Sequence, residues 1–263
     1  MSDKPSIATS ILHNALENPA TEVALKNPAT EVARDIRSFG RRRGRPLRPR
    51  QSKHVEKLLP KLTLNLEQPA PEPLEQIFSP STTATWLEIG FGGGEHMIWQ
   101  AQHNTETNAD IGIIGCEPFL DGVAKVLDAV DTGRVSRLRL YTDDARDVLR
   151  WLPEASLARV FILFPDPWPK KRHRKRRLIS PAFLDQVARV MRPGAELRLG
   201  TDIADYATEM LLAATQSADF MWNANGPQDW RERPSDWPQT RYEQKAIREG
   251  RSSYYFRFTK VVP

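Results

Sequence analysis

The chain has 263 residues, of which 40% are hydrophobic, and a formal net charge of +5. This length allows one large core, or one core with a tail. The single cysteine, Cys116, excludes an intrachain disulfide and a multi-cysteine metal site, and its apolar surroundings predict a buried small residue. The sequence has neither an 18-residue apolar stretch nor the hydrophobic region of a signal peptide, so we expect a cytoplasmic protein that does not bind a membrane.

The residues before position 84 differ in composition from the rest. Residues 1–37 predict a disordered tail, in which the heptapeptide Asn-Pro-Ala-Thr-Glu-Val-Ala occurs twice, at 18–24 and 27–33. Two copies are too few for a solenoid. Residues 38–83 predict a basic arm followed by a proline-rich connector, and six arginines fall within 41–50. Clustered arginines create a positive field suited to a polyanion, although a localisation signal is an alternative.

From residue 84 to residue 263, short apolar runs alternate with helical patterns, which predicts one main domain. This alternation indicates an α/β fold with a doubly wound, Rossmann-like and mostly parallel sheet. The strand-like runs are Trp86–Gly90, Ile111–Cys116, Val135–Leu140, Val160–Phe164 and Ala195–Thr201, and helices are predicted at 94–103, 118–130, 144–152, 180–192 and 202–216. Residues 223–242 are polar and rich in tryptophan and proline. Tyr254–Val262 alternates and predicts a final antiparallel strand paired with 219–223.

Several of the helix starts carry local signals. Pro118 is expected in the first turn of its helix, and Ser180 followed by Pro181 is typical of an N-cap and the first helical position. Asp144 and Asp202 are expected to cap the helices that follow them, because a carboxylate at this position accepts from free backbone N–H groups.

A glycine loop follows the first strand. Gly90, Gly92 and Gly94 allow a tight turn and close approach of a ligand to the backbone. The dinucleotide-binding pattern G-x-G-x-x-G requires glycine at position 95, where this chain has Glu95. A pyrophosphate ligand is therefore disfavoured, and the negative charge of Glu88 disfavours it further. An acid at Glu88 attracts a cation instead, and S-adenosylmethionine carries a positive sulfonium and a positive amino group. A purely structural turn is the alternative.

Acidic residues also follow the next two strands. Glu117 is placed to accept from both ribose hydroxyls of a nucleoside, and Asp144 to accept from an adenine amine. Together with Glu88, these acids stand at the carboxyl ends of successive strands, and such ends meet at one crevice of a parallel sheet. The pattern predicts a nucleoside site there, although each acid alone is explained equally well as surface charge.

The segment FPDPWPKKRHRKRR, residues 164–177, follows the fourth strand. Asp166 lies between two prolines, Trp168 follows, and residues 170–177 are all Lys, Arg or His. Cations bind phosphates, an aromatic ring stacks on a base, and a carboxylate accepts from base N–H groups, so the segment predicts an RNA-binding site. The alternatives are a solvated basic surface and a tryptophan that only packs the loop against the sheet.

These motifs together resemble those of the bacterial tRNA (guanine-N7)-methyltransferases, over residues 36–260. The resemblance is carried by RSFGRRRGR (37–45), LEIGFGGGEH (87–96), GCEPFLDGV (115–123), DDARDVL (143–149), FPDPWPKKRHRKRR (164–177), TDIADYA (201–207) and TRYEQKAIREG (240–250). It implies a class I methyltransferase fold, S-adenosyl-L-methionine as co-substrate, and methylation of the guanine at position 46 in the variable loop of tRNA.

The resemblance also implies roles for individual residues. The implied cofactor positions are Glu88, Gly90, Glu117, Asp144 and Asp166, and Asp166 matches the position treated as catalytic in the family. The implied substrate contacts are Lys170, Asp202, Thr240, Arg241, Tyr242 and Glu243. Without the resemblance, the residue types alone favour another interpretation, in which Tyr242 begins a strand and Glu243 is exposed to solvent. Pro169 departs from the family pattern, in which histidine or another residue is common.

Two other functions are compatible with the sequence. One is a class I methyltransferase acting on a protein or a small molecule, which the basic runs disfavour. The other is a non-catalytic RNA-binding module, which the acids at 88, 117, 144 and 166 disfavour. A metal site is not expected, because the five histidines are scattered and His173 lies among cations. The expected partner is tRNA, and the expected state is a monomer or homodimer without an obligatory protein partner.

Overall fold

The computed structural model describes residues 44, 46–107 and 109–262. The predicted tail with its repeat, and most of the arginine-rich stretch, lie outside these residues. Within them, one sheet is formed by β1 (Ala84–Ile89), β2 (Ile111–Cys116), β3 (Leu138–Tyr141), β4 (Leu157–Leu163), β5 (Met191–Thr201), β6 (Phe220–Trp222) and β7 (Tyr254–Lys260). The strand order is β3-β2-β1-β4-β5-β7-β6.

Helices cover the sheet and fill its connections. They are α1 (Pro49–Lys57), α2 (Leu59–Leu62), α3 (Glu95–Glu106), α4 (Leu120–Asp131), α5 (Ala145–Trp151), α6 (Pro181–Val190), α7 (Ala204–Thr215), α8 (Gln228–Arg231) and α9 (Arg241–Arg248), with 3-10 helices at Leu74–Ile77 and Lys171–Arg176. In the part of the chain that the structure describes, no helix has the length and apolar character needed to span a bilayer.

The strand pairing confirms the predicted doubly wound sheet. Strands β1 to β5 pair in parallel, and Leu87 of β1 is opposite Ile114 of β2 and Val160 of β4. The last strand, β7, runs antiparallel to both β5 and β6, as predicted. The chain winds outward from β1 in one direction and from β4 in the other, which leaves a crevice beyond the carboxyl ends of these two strands.

Side chains of β1 alternate between two hydrophobic cores. Leu87 and Ile89 are buried in the core that includes α6 and α7, while Trp86 is buried in the core that includes α3 and α4. Because helices cover both faces, nearly every residue of the central strands is buried. This explains why the strands appear in the sequence as continuous apolar runs.

The segment before β1 packs onto the domain. In α1, Arg50 and His54 pair with Asp128 of α4, with a distance of 2.9 Å from His54 Nδ1 to Asp128 Oδ1. Further along, in the proline-rich connector, Leu74 and Phe78 are buried in the first core. Glu75 of the same segment is also buried, and its Oε1 lies 2.6 Å from Nη2 of Arg192. This packing was not apparent from the composition of the segment.

Two of the predicted helix caps are confirmed. The Ser180 hydroxyl accepts from the Phe183 N–H at 3.3 Å, with Pro181 at the first helical position of α6. The Asp144 carboxylate accepts from the Arg146 N–H at 3.0 Å and caps α5. Each bond satisfies one of the free N–H groups at a helix start.

The other two predicted helix starts are wrong. Helix α4 begins at Leu120, so Pro118 precedes the helix and does not lie in its first turn. Helix α7 is preceded by Ile203 and has no side-chain cap. The carboxylate of Asp202 is bonded to Arg251 instead, at 2.8 Å from Nε and 2.7 Å from Nη2. A charged partner that is distant in sequence has displaced the local cap.

Candidate active site

A cleft of about 470 Å³ lies at the carboxyl edge of the sheet, where the strand order reverses. Residues that follow four different strands line it: Gly90 and Gly92 after β1, Glu117 after β2, Asp144 after β3 and Asp166 after β4. Of the three acids predicted to meet at this edge, Glu117 and Asp144 line the cleft and Glu88 does not, while Asp166 supplies a third carboxylate.

The glycine loop has the tight geometry expected from its sequence. Gly90, Gly92 and Gly94 have φ values of 75°, 55° and 77°, which glycine adopts without steric cost. A Cβ on Gly122 of α4 would lie 1.7 Å from the Gly92 carbonyl oxygen, so the helix approaches the loop as closely as a glycine permits. A Cβ on Gly90 would meet nothing within 4 Å, because this glycine faces the open cleft.

Glu117 supports the same loop from the end of β2. Its buried carboxylate accepts from the Gly92 N–H at 2.6 Å and from the Phe119 N–H at 2.9 Å. Burial raises the pKa of Glu117 above its ordinary value, and the charge of Asp166 adds to this, while the two N–H groups and Arg241 oppose it. A carboxylate has about four acceptor sites, so capacity remains for hydroxyl groups in the cleft.

Asp144 is held in place by a cation that sequence reasoning did not single out. Nη1 of Arg146 lies 3.2 Å and 3.1 Å from the two carboxylate oxygens of Asp144. The guanidinium of Arg146 also lies over the Phe183 ring, and both Asp144 and Arg146 line the cleft. The carboxylate is thereby fixed at the cleft wall with part of its charge balanced.

Asp166 lies on a loop with an unusual backbone. Phe164 and Trp168, on either side of it, have positive φ values of 51° and 41°. Such conformations are rare for bulky residues and are concentrated at functional sites. The Asp166 side chain is accessible to solvent at the cleft, but the surrounding atoms exclude enough water to raise its pKa above the ordinary value.

Trp168 forms part of the cleft wall. The guanidinium of Arg176 lies 4.9 Å from the centre of its ring, and the His173 ring meets it edge-on at 5.9 Å. Trp168 and Arg176 both line the cleft. An aromatic face beside a cation, next to the carboxylate of Asp166, is the combination that a site for a nucleobase requires.

The basic run forms a 3-10 helix with its charges mostly in solvent. Lys170, Lys171, Arg172 and Lys175 are exposed. Arg177 is buried, so the prediction that the whole run 170–177 binds phosphates is wrong at its last residue. These exposed cations continue along the chain to Arg176, which lines the cleft together with Trp168.

The motif Thr240-Arg241-Tyr242-Glu243 begins α9, a helix that was not predicted. The Thr240 hydroxyl accepts from the Glu243 N–H at 3.3 Å. Arg241 and Tyr242 line the cleft, and Nη2 of Arg241 donates to the Tyr242 hydroxyl at 3.2 Å. The sequence signal for this helix is Thr followed three residues later by Glu, which is typical of a capping box.

Glu243 is not a solvent-exposed residue, contrary to the interpretation from its residue type. Its side chain is buried, and Oε1 accepts from the Tyr255 hydroxyl at 2.6 Å and lies 3.1 Å from Nε of Arg233. Tyr242, in a helix and 42% exposed, is not a strand-entry residue either. Glu243 thus anchors α9 on β7 while the two preceding side chains face the cleft.

Comparison with known proteins shows which family the chain belongs to. A family model described as "Putative methyltransferase" matches residues 82–256. A protein of Brucella anthropi named tRNA (guanine-N(7)-)-methyltransferase is 48% identical over 222 residues, which cover 84% of this chain and 94% of that protein. The chain belongs to the tRNA (guanine-N(7)-)-methyltransferase family. Family members from Chelativorans sp. and Rhodospirillum rubrum are 46% and 45% identical, covering 85% and 86% of this chain and 94% and 88% of those proteins.

Membership of the tRNA (guanine-N(7)-)-methyltransferase family confirms the resemblance, but the structure does not bring all the implied residues into the cleft. Glu88 is buried, with Oε2 2.7 Å from Nδ1 of His96. Asp202 is paired with Arg251, and Lys170 is exposed at the start of the 3-10 helix. Thr240 and Glu243 lie behind the cleft, where they hold α9. The implied residues that line it are Gly90, Glu117, Asp144, Asp166, Arg241 and Tyr242.

The cleft suits a cationic nucleoside better than a pyrophosphate. Three carboxylates, from Glu117, Asp144 and Asp166, line it, and the open space beside Gly90 allows a ligand to approach the backbone. These features fit S-adenosylmethionine, which offers ribose hydroxyls and positive groups. Within the described residues, no cluster of His, Cys, Asp and Glu has the arrangement needed for a metal ion.

Proposed function

We propose that this protein transfers the methyl group of S-adenosyl-L-methionine to N7 of guanine in tRNA, at position 46 of the variable loop. The observation that carries the proposal is one cleft that is lined by the carboxylates of Glu117, Asp144 and Asp166 together with Trp168 and Arg176. The names of the relatives support guanine as the base and N7 as the methylated atom. The motif resemblance supports position 46 of the tRNA.

The residues after β1, β2 and β3 would hold the donor. Glu117 has acceptor capacity for the ribose hydroxyls, Asp144 for an adenine amine, and the loop at Gly90 leaves room for the methionine part. The donor supplies an electrophilic methyl group on a sulfonium. The contribution of the protein is alignment, and well-oriented reactions gain on the order of 7–11 kcal/mol in this way.

Asp166 and the neighbouring aromatic wall would hold the guanine. N7 carries a free lone pair, so attack requires no prior deprotonation and no strong general base. We assign Asp166 to orient the base through its N1–H and exocyclic amine, and Trp168 to stack against it. The methylated base is cationic, so the carboxylate also stabilises charge that grows in the transition state. Asp202, which is paired with Arg251, is not assigned this role.

The test of the function is methylation of a tRNA transcript with labelled donor, followed by borohydride and aniline cleavage to map N7-methylguanosine. Cleavage at position 46 is expected, and a transcript with adenine at that position is the control. Methyl transfer to protein extract but not to tRNA would favour a different substrate. Absence of donor binding in isothermal titration would favour a non-catalytic RNA-binding module.

The exposed cations of the 3-10 helix are expected to contact phosphates. Replacing Lys171 and Lys175 with glutamine should weaken tRNA binding and reduce the slope of log affinity against log salt by about 0.7–0.9 for each lost contact. The measurement is filter binding across a salt series. Arg137→Gln, which removes a cation paired with Asp110 at the start of β3, is the matched control. An unchanged slope in the double variant would refute the assignment.

The rate of methyl transfer is expected to be flat from about pH 6 to about pH 9, because N7 needs no base. It should fall in acid as Asp166 and Glu117 become protonated. Because the pKa of each is raised, this fall begins at a higher pH than for ordinary carboxyl groups. Single-turnover rates across pH measure this, and a rate that rises with one ionisation near neutral pH would contradict it.

The raised pKa values of Asp166 and Glu117 lower the rate in acid, but they increase the stability of the folded protein there. A raised carboxyl pKa means that the folded state binds the proton more tightly than the unfolded state. These two groups therefore contribute stability below their ordinary pKa, which is lost as pH rises through the raised value. Urea unfolding across the same pH range separates the two effects, since the loss of rate in acid should occur without a loss of stability from this pair.

A further inference from the structure

Arg177 differs from the seven basic residues before it. Lysine, arginine and histidine at 170–176 lie in solvent or at the cleft wall, but the Arg177 side chain is only 2% exposed. Nothing in the run KKRHRKRR distinguishes this residue by composition. Its burial requires that its charge and its N–H groups are satisfied within the protein.

The guanidinium of Arg177 joins the Asp166 loop to helix α7. Nε donates to the carbonyl oxygen of Pro167 at 2.7 Å. Nη2 donates to Asp205 Oδ2 at 2.9 Å, and Nη1 forms an ion pair with Glu209 Oε2 at 2.7 Å. The guanidinium also lies 4.6 Å from the centre of the Tyr206 ring. Three side chains on one face of α7 therefore contact the Arg177 guanidinium, and its Nε–H donates to the Asp166 loop.

Pro167 directly follows Asp166, so the bond from Arg177 constrains the backbone next to the carboxylate. On the other side of Asp166, the Phe164 N–H donates to the Gly200 carbonyl oxygen at 2.7 Å. Between these two ties, Phe164 and Trp168 keep positive φ values. A backbone in such a conformation persists only where its surroundings determine it.

We propose that Arg177 is a positioning residue, which fixes the Asp166 carboxylate in the cleft by tying the Pro167 carbonyl to α7. The proposal rests on the proposed function, in which Asp166 orients the guanine. It assigns the last basic residue of the run to the catalytic loop, and leaves phosphate binding to the exposed residues before it.

The first test is the split between kcat and KM in Arg177→Lys. Lysine keeps the charge but lacks the fork that bonds the carbonyl and both carboxylates at once. We expect kcat at saturating tRNA to fall about 10- to 100-fold, because small misplacements of reacting groups have effects of this size. KM for tRNA should change by no more than about twofold, since the exposed cations are intact.

A second variant, Glu209→Gln, weakens the same tie from the other side. We expect kcat to fall about 3- to 10-fold, because Asp205 still holds Arg177. If Arg177 instead contacted phosphate, Arg177→Lys would keep its kcat, since lysine retains the charge. Arg137→Lys, which alters an ion pair at the start of β3, is the matched control and should match the wild type.

The third measurement does not depend on activity. In protein labelled with ¹⁵N-tryptophan, the indole resonance of Trp168 is assigned by its loss in Trp168→Phe. It should shift in Arg177→Lys and Glu209→Gln, and stay in place in Arg137→Lys. A shift without a fall in kcat, or a fall in kcat without a shift, would overturn the proposal. If Arg177→Lys does not fold, Glu209→Gln decides by the same two readouts.

The outcomes also separate this proposal from the proposed function. If the wild-type protein does not methylate tRNA, the proposed function fails, and with it the role of Arg177 in catalysis. The Trp168 resonance still shows whether Arg177 holds the loop. If the wild-type protein methylates tRNA but both variants keep its kcat, only the role of Arg177 fails.

Discussion

Replacing Asp166 with asparagine is expected to lower kcat for tRNA methylation about 100- to 1000-fold, with little change in tRNA affinity. Asparagine keeps the size of the side chain, but it loses the negative charge and one of the two acceptor oxygens that we assign to the base. The charge matters most in the transition state, where the purine becomes cationic. The loss should therefore fall on kcat more than on KM.

Single-turnover kinetics at saturating donor and tRNA measure this effect directly. Asp185→Asn, which changes an exposed carboxylate on α6, is the matched control and should leave the rate unchanged. A rate for Asp166→Asn within about threefold of the wild type would remove Asp166 from the catalytic step. An equal loss in tRNA affinity would instead make it a binding residue.

Replacing Gly122 with alanine is expected to damage the donor site although Gly122 is not among the cleft-lining residues. The added Cβ would lie 1.7 Å from the Gly92 carbonyl oxygen, and a backbone atom cannot rotate away as a side chain does. Either the glycine loop or α4 must shift. The shift strains the 2.6 Å bond from the Gly92 N–H to Glu117, a residue that we assign to the donor.

We expect Gly122→Ala to lose about 1–3 kcal/mol of unfolding free energy and to bind S-adenosylmethionine about 10- to 100-fold more weakly. Urea unfolding and isothermal titration measure the two effects. Gly226→Ala is the control, because its Cβ would meet only the movable end of the Gln228 side chain, at 3.1 Å. Full donor affinity in a destabilised Gly122→Ala would show that the loop tolerates the shift.

The two variants address different parts of the proposed reaction. Asp166→Asn leaves the donor loop intact and removes charge beside the base, while Gly122→Ala leaves Asp166 intact and displaces the loop. Residues in separate parts of a site have nearly additive effects when they share no contacts. Here the charge of Asp166 contributes to the raised pKa of Glu117, so some coupling between the two variants is expected.

Local sequence signals were sufficient to predict features that depend only on residues close together in the chain. Continuous apolar runs predicted β1, β2 and β4, because strands that are covered on both faces of the sheet have few polar residues. Glycines at 90, 92 and 94 predicted the turn that their positive φ values confirm. Ser180 and Asp144 predicted two helix caps, because a cap is a bond between near neighbours in the chain.

The positions of single side chains were less predictable. Glu88, in the same motif as the glycine loop, is paired with His96 in the interior, and Asp202 is paired with Arg251, which is distant in sequence. The polar 67–83 segment is anchored through Leu74 and Phe78. In each case the contact joins two different elements, so it depends on how those elements pack against each other.

The sequence by itself determined the α/β sheet, the glycine loop and the acids at the strand ends. The hydrophobic periodicity, the glycine conformations and the residue that follows each strand are all set by short stretches of the chain. Only the tertiary structure decided which charges face the cleft. Arg176 lines it beside Trp168, whereas Arg177, one residue later in the same basic run, is buried against Asp205 and Glu209. These two neighbouring arginines point in different directions, because the acids that pair with Arg177 lie on α7, which follows in the chain.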